Sequence, residues 1–166
     1  MFQPPDSRVP VVTFTAPKAA TSLVRWAVFV GILFGVVRFS VGVVFIFWMV
    51  EPNKNLGGAL YVPAEVAWLA SIAASTGAGL VGGIMFWRLR KQRITKFQGA
   101  TVGVMAAFGS YVSIAVCVGA VFGAFNGVTW GALSAMITGI VTIPVLAILG
   151  MVLSSMQRAS SIPEPK

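Results

Sequence analysis

Four long apolar stretches fill most of this chain, and small side chains recur at four-residue spacing through three of them. One stripe reads Ala67, Ser71, Ser75, Gly79, Gly83; another reads Ala115, Gly119, Gly123, Gly127, Gly131, Ala135, Gly139. In lipid such a stripe lets helix backbones approach closely, because acyl tails are as apolar as Leu and packing alone distinguishes protein from lipid. The pattern predicts an all-α integral membrane bundle of four transmembrane helices joined along Gly/Ala/Ser packing seams. Ser71, Ser75, Gly79, Gly83, Gly119, Gly123, Gly127, Gly131 and Gly139 are the expected packing positions. The same stripes would also serve as an exposed face for another subunit, or as a pore lining.

The balance of 57% hydrophobic to 10% charged residues is not that of a water-soluble domain of this size. The 166 residues suit one membrane domain, expected at 23–156, between a Pro-rich arm at 1–22 and a short tail at 157–166. Histidine is absent, which removes His-ligated haem, His-based zinc sites and the usual neutral-pH proton shuttle. The acids are Asp6, Glu51, Glu65 and Glu164, none deep in an apolar stretch, so a paired-carboxylate site or an intramembrane proton relay has no candidates. No enzymatic activity is expected, and no catalytic, cofactor or metal-ligating residue is assigned. Cys117 is the single cysteine and reads as a small buried hydrophobe.

The spans fall at about 26–50, 64–87, 99–125 and 128–153. The first is roughly 25 residues, enough to cross the hydrocarbon core with tilt. Trp26 and Trp48 flank it at a separation of about 33 Å along a helix, which suits the two aromatic belts. Trp68 and Trp87 bracket the second span, whose opening carries Pro63 and Glu65, a first-position proline and an acid near the positive dipole end. Asn126-Gly127 is the expected break between the last two spans, since one helix across both would greatly exceed a bilayer. Met1 to Ser22 has no continuous apolar run before Leu23, so a secretory signal is not expected; Asp6 and four prolines argue against a mitochondrial presequence. Val9 to Thr15 reads equally as an extended arm lying on a partner or as a disordered tail.

Charge sets the topology. Arg88, Arg90, Lys91, Arg93 and Lys96 make the connection between spans two and three basic without any acid. Four spans put both basic termini on the side of that loop, which the positive-inside rule makes cytoplasm or matrix. The cluster is a candidate site for anionic phospholipid, cardiolipin included, or an ordinary topology determinant. Nucleic acid and small-molecule substrates find no site here. Arg38 is the sharpest anomaly: at mid-span a guanidinium costs several kcal/mol or more unless it is partnered or snorkels. Its candidate partners are backbone carbonyls, hydroxyls such as Ser40, a lipid phosphate, or an acid of another subunit; a transport role is the remaining alternative. Pro144 removes a donor within the fourth span, and Thr138 or Thr142 is expected to compensate the carbonyl near Ile140.

Lys18-Ala19 leading into a helix with Gly31 and Arg38, the segment GAGLVGGIMFW at 77–87, a short basic loop and a helix opening GATVG at 99–103 together resemble the mitochondrial preprotein and amino-acid transporter group, the Tim-translocase relatives. Within it the likeness is to a four-helix accessory subunit in the membrane arm of respiratory complex I, over roughly residues 18 to 110. The family's charged motif between later helices is missing here, and its termini usually face the intermembrane space, opposite to the charge-based orientation. The resemblance implies a mitochondrial inner-membrane location and a scaffold role; a bacterial plasma membrane is the alternative. The expected function is a non-catalytic accessory subunit that stabilises or helps assemble a larger membrane complex, such as a respiratory one, with other membrane subunits and anionic lipids as partners. The alternative is a small transporter or a translocase pore component.

Overall fold

The computed structural model describes residues 17–47, 64–89 and 94–159. Among the described residues four helices follow in chain order: α1 Pro17–Phe45, α2 Ala64–Leu89, α3 Lys96–Phe122 and α4 Ala124–Ala159. Each contains a segment long and apolar enough to cross a membrane: Val24–Phe45, Glu65–Leu89, Lys96–Phe122 and Ala124–Gln157. The all-α four-helix membrane architecture is therefore present.

Local chemistry fixes the helix ends. α1 opens at Pro17, where a proline loses nothing because a first-turn N–H has no intrahelical acceptor. It starts well before the 26 expected from hydropathy, so residues 17–22 belong to the helix rather than to an arm; residues 1–16, with Val9 to Thr15, lie outside the described residues, as do Trp48, Glu51 and Pro63. α3 opens on a capping box. Thr95 Oγ1 accepts the Gln98 N–H at 3.1 Å, and Gln98 Oε1 accepts the Thr95 N–H at 2.8 Å. That reciprocal pair starts the helix at Lys96 instead of 99.

The break between α3 and α4 is Gly123, not Asn126-Gly127. Gly123 has φ 95° and ψ 150°, a region open in practice only to glycine. Asn126, the expected turn residue, is already in the first turn of α4 and donates from Nδ2 to the Phe122 carbonyl at 2.7 Å. α4 then runs 36 residues, about 54 Å at helical rise, and so outreaches the hydrocarbon core and continues past the expected end at 153. Pro144 sits inside it without ending it. Neither threonine serves the Ile140 carbonyl: Thr138 Oγ1 donates to Ser134 O at 2.7 Å, and Thr142 Oγ1 is buried with no partner among the described residues.

Neighbouring helices pack antiparallel, with α3 against α4 most extensively, then α1 against α2 and α2 against α3; α1 meets α4 over a short patch and α3 over less. The core is narrow, with Val30, Phe34, Ala74, Ala78, Phe86, Val102, Ala106, Ile114, Val118 and Leu146 at its centre. Large apolar side chains, Ile32, Leu80, Val112 and Ile140 among them, cover the outside, as lipid contact requires. Trp26, Trp68 and Trp87 are partly exposed near the ends of their apolar spans, where aromatic belts lie.

Glycine makes the packing possible. A methyl on Gly31 would lie 2.8 Å from the Gly79 carbonyl oxygen, and one on Gly35 3.1 Å from that of Ser75. One on Gly77 would meet the Gly109 carbonyl, and one on Gly103 would overlap the Leu146 carbonyl. Gly123→Ala, which meets no neighbour within 4 Å, should destabilise through backbone strain alone, by about 1–3 kcal/mol. Gly103→Ala should cost a similar amount, roughly 1–3 kcal/mol, by forcing α3 and α4 apart. Gly139→Ala, whose methyl would stand an ordinary 3.6 Å from the Tyr111 hydroxyl oxygen, should be nearly neutral. Reversible unfolding in mixed micelles measures all three.

Candidate functional site

α1 is pinned to α2 by Gly31, Gly35 and Gly42, which face Gly79, Gly83, Ser75 and Ser71. This approach leaves Arg38, a turn from both Gly35 and Gly42, inside the bundle at 2% exposure. It does not snorkel and does not face lipid. Its side chain reaches across to the two helices that α1 touches least. Nε donates to Ser110 Oγ of α3 at 3.2 Å, and Nη2 donates to Thr138 Oγ1 of α4 at a long 3.5 Å. The guanidinium carbon also stands 5.7 Å from the centroid of the Tyr111 ring, within cation–π range.

The two hydroxyls that bond Arg38 are each oriented by a second bond. Ser110 Oγ donates to Ala107 O at 2.6 Å and Thr138 Oγ1 to Ser134 O at 2.7 Å, so both oxygens turn lone pairs toward the cation. Tyr111 Oη and Thr138 Oγ1 lie 3.5 Å apart and tie α3 to α4 beside it. Ser40, the hydroxyl expected to partner Arg38, instead donates to Val36 O of its own helix at 3.0 Å. Proximity in sequence was misleading here, because two residues along a helix is a turn of about 200°. Among the described residues the one acid is Glu65, exposed in the first turn of α2.

The expected packing residues divide. Ser71, Ser75, Gly79 and Gly83 line the α1–α2 seam. Gly119, Gly127 and Gly131 line the α3–α4 seam, where a methyl on Gly131 would lie 2.9 Å from the Ala115 side chain. Gly139 is buried in looser surroundings. Gly123 does not pack: it is exposed and makes the turn. Of the basic cluster, Arg88 and Lys96 are exposed at the adjoining ends of α2 and α3, while Arg90, Lys91 and Arg93 lie outside the described residues. Cys117 is half-buried rather than buried. Sequence reading missed Ser110 and Tyr111, gave Thr138 a different role, and assigned no packing to the seam glycines Gly31, Gly35, Gly77, Gly99, Gly103, Gly109 and Gly150. The Gly31–Gly35 and Gly99–Gly103 spacings carried that signal.

The arrangement is a cation held by neutral oxygens and a ring. It can clamp three helices. Arg38→Met should fold with stability near that of the parent, because both hydroxyls keep their carbonyl bonds and an apolar chain of similar length fills the space. Ser110→Ala should destabilise the parent by about 1.5–3 kcal/mol, the worth of a hydrogen bond to a charged group, and the Arg38→Met background far less. A double-mutant cycle of unfolding free energies checks this. No family model, characterised protein or solved structure matches the chain, so its role has to be argued from this geometry.

Proposed function

We propose that this chain is a non-catalytic membrane subunit that stabilises or helps assemble a larger membrane protein complex. The observation that carries the reading is the outer side of the α1–α2 seam. There the close approach of the two helices leaves an open apolar groove of about 630 Å³. Its floor is Gly31, Gly35, Ser75, Gly79 and Gly83, and its walls include Val28, Ile32, Leu80, Ile84 and Trp87. From Val24 to Val36 it extends about 18 Å along the helix axis. A small-residue floor between bulky walls accepts a ridge of side chains from a third helix, and small-residue surfaces are where helices associate in lipid. The occupant is a transmembrane helix of another subunit.

Polar groups inside the spans support a scaffold over a pore. Ser40, Thr76, Thr101, Thr129 and Ser155 each bond a carbonyl of their own helix, and Arg38 is engaged across the bundle. Exposed Arg88 and Lys96 stand where α2 ends and α3 begins, the end of the bundle from which α1 starts and at which α4 finishes. Positive-inside bias assigns that end to the cytoplasm or matrix, and the basic connection there suits anionic phospholipid such as cardiolipin. The resemblance over residues 18 to 110 makes a mitochondrial respiratory complex the first partner to seek.

Leu80 and Ile32 are each 60% exposed on the groove walls, so filling it need not disturb the bundle. Leu80→Trp combined with Ile32→Trp should leave a folded, monodisperse protein that no longer comigrates with its complex after mild-detergent extraction and native separation. Unchanged comigration would show that the groove holds lipid. Migration of the parent protein as a small homo-oligomer alone would sink the accessory-subunit reading.

A further inference from the structure

Beside Arg38 the bundle contains a partly open cavity of about 40 Å³, bordered by all four helices. Arg38, Gly42, Ser71, Trp130, Ser134 and Thr138 are part of its lining. Ser71 is 6% exposed, and its hydroxyl has no hydrogen-bond partner among the described residues. Ser134 is half-buried and its hydroxyl is likewise without a partner there, while its carbonyl accepts from Thr138. The site thus joins a buried full positive charge to two free hydroxyl donors. The volume is about three times the roughly 10–15 Å³ that one water-sized particle needs, so it admits a small ion with a water or two.

We propose that this cavity binds one monatomic monovalent anion of the halide class, with chloride the abundant member. Arg38 supplies the charge, and the hydroxyls of Ser71 and Ser134 supply donors. A guanidinium at this depth is unfavourable when surrounded only by neutral oxygens, and an anion in contact with it offsets part of that cost. A pocket of this volume suits a monatomic ion better than a phosphate headgroup. This inference stands whether or not the outer groove docks a partner.

The test uses the purified full chain in detergent, with sodium chloride compared against sodium gluconate at equal ionic strength, gluconate being far too large for the cavity. Chloride should raise the unfolding temperature progressively with its concentration. It should also broaden the chloride NMR line saturably, and bromide should compete that broadening away. Arg38→Met should stay helical and lose both effects. Ser71→Ala should fold and bind chloride about tenfold more weakly, as loss of one hydrogen bond to an ion implies. Equal unfolding temperatures in the two salts, or no excess line broadening by the folded parent, would overturn the proposal in favour of a water-filled cavity. Broadening that survives Ser71→Ala unchanged would overturn it as well, because the ion would then lie on the surface lysines and arginines.

Discussion

Backbone-to-backbone approach at glycine is the contact on which this bundle depends. Turning apolar side chains inward gains nothing when lipid surrounds the protein, so cohesion must come from atoms packed more closely than lipid could pack against them. Gly31 against the Gly79 carbonyl, Gly77 against that of Gly109 and Gly150 against that of Gly99 place such contacts at three successive helix pairs. Each lies where a side chain would have held the axes apart. Dispersion falls off steeply with a gap of even half an ångström, so these positions govern many surrounding contacts besides their own. Large side chains are displaced to the periphery as a result, and the buried core contains several alanines.

The same close approach accounts for Arg38. Once Gly35 and Gly42 have drawn α1 onto α2, the residue between them must turn toward α3 and α4, which α1 otherwise barely reaches. A long, flexible side chain with several donors can bridge that distance; Ser110 and Thr138 meet it with oxygens already committed as donors to their own helices. The cation therefore contributes connection more than energy. A buried charge held by neutral groups is a weak source of stability and a strong constraint on which helix faces which, since any rotation of α1 would strand it in hydrocarbon. Seam and cation thus constrain the rotation of α1 through one and the same face.

The four spans were legible because about twenty apolar residues in sequence leave few alternatives, and the α2 stripe was legible because one straight helix repeats its face every three to four residues. The second stripe was harder. Ala115 and Gly119 belong to α3 while Gly127 and Gly131 belong to α4, and the four-residue rhythm continues through the turn that reverses the chain. Small residues are needed on both arms of the hairpin, so the spacing alone does not reveal where it folds. Asn126-Gly127 carried the better turn chemistry, yet Gly123 provides a backbone geometry that Asn would not tolerate. The partners of Arg38 were illegible for a different reason. They lie 72 and 100 residues away, and local patterning contains nothing about such pairings.

The seams differ in what they leave outside. Between α3 and α4 the two-arm hairpin consumes its own small residues, with Gly99 and Gly103 meeting Gly150 and Leu146 at one end and Ala115 meeting Gly127 at the other. Between α1 and α2 the approach is as close, but its outer side stays open along the glycine floor. A seam needed only to join two helices could carry bulkier residues beside its contact line, since nothing outside would then have to come near. Gly31, Gly35 and Gly79 are glycine because the seam itself admits no side chain there, and on their outer side they form the floor of a walled groove. A third helix seated on that floor would complete the packing, on the half of the bundle that α3 and α4 leave uncovered.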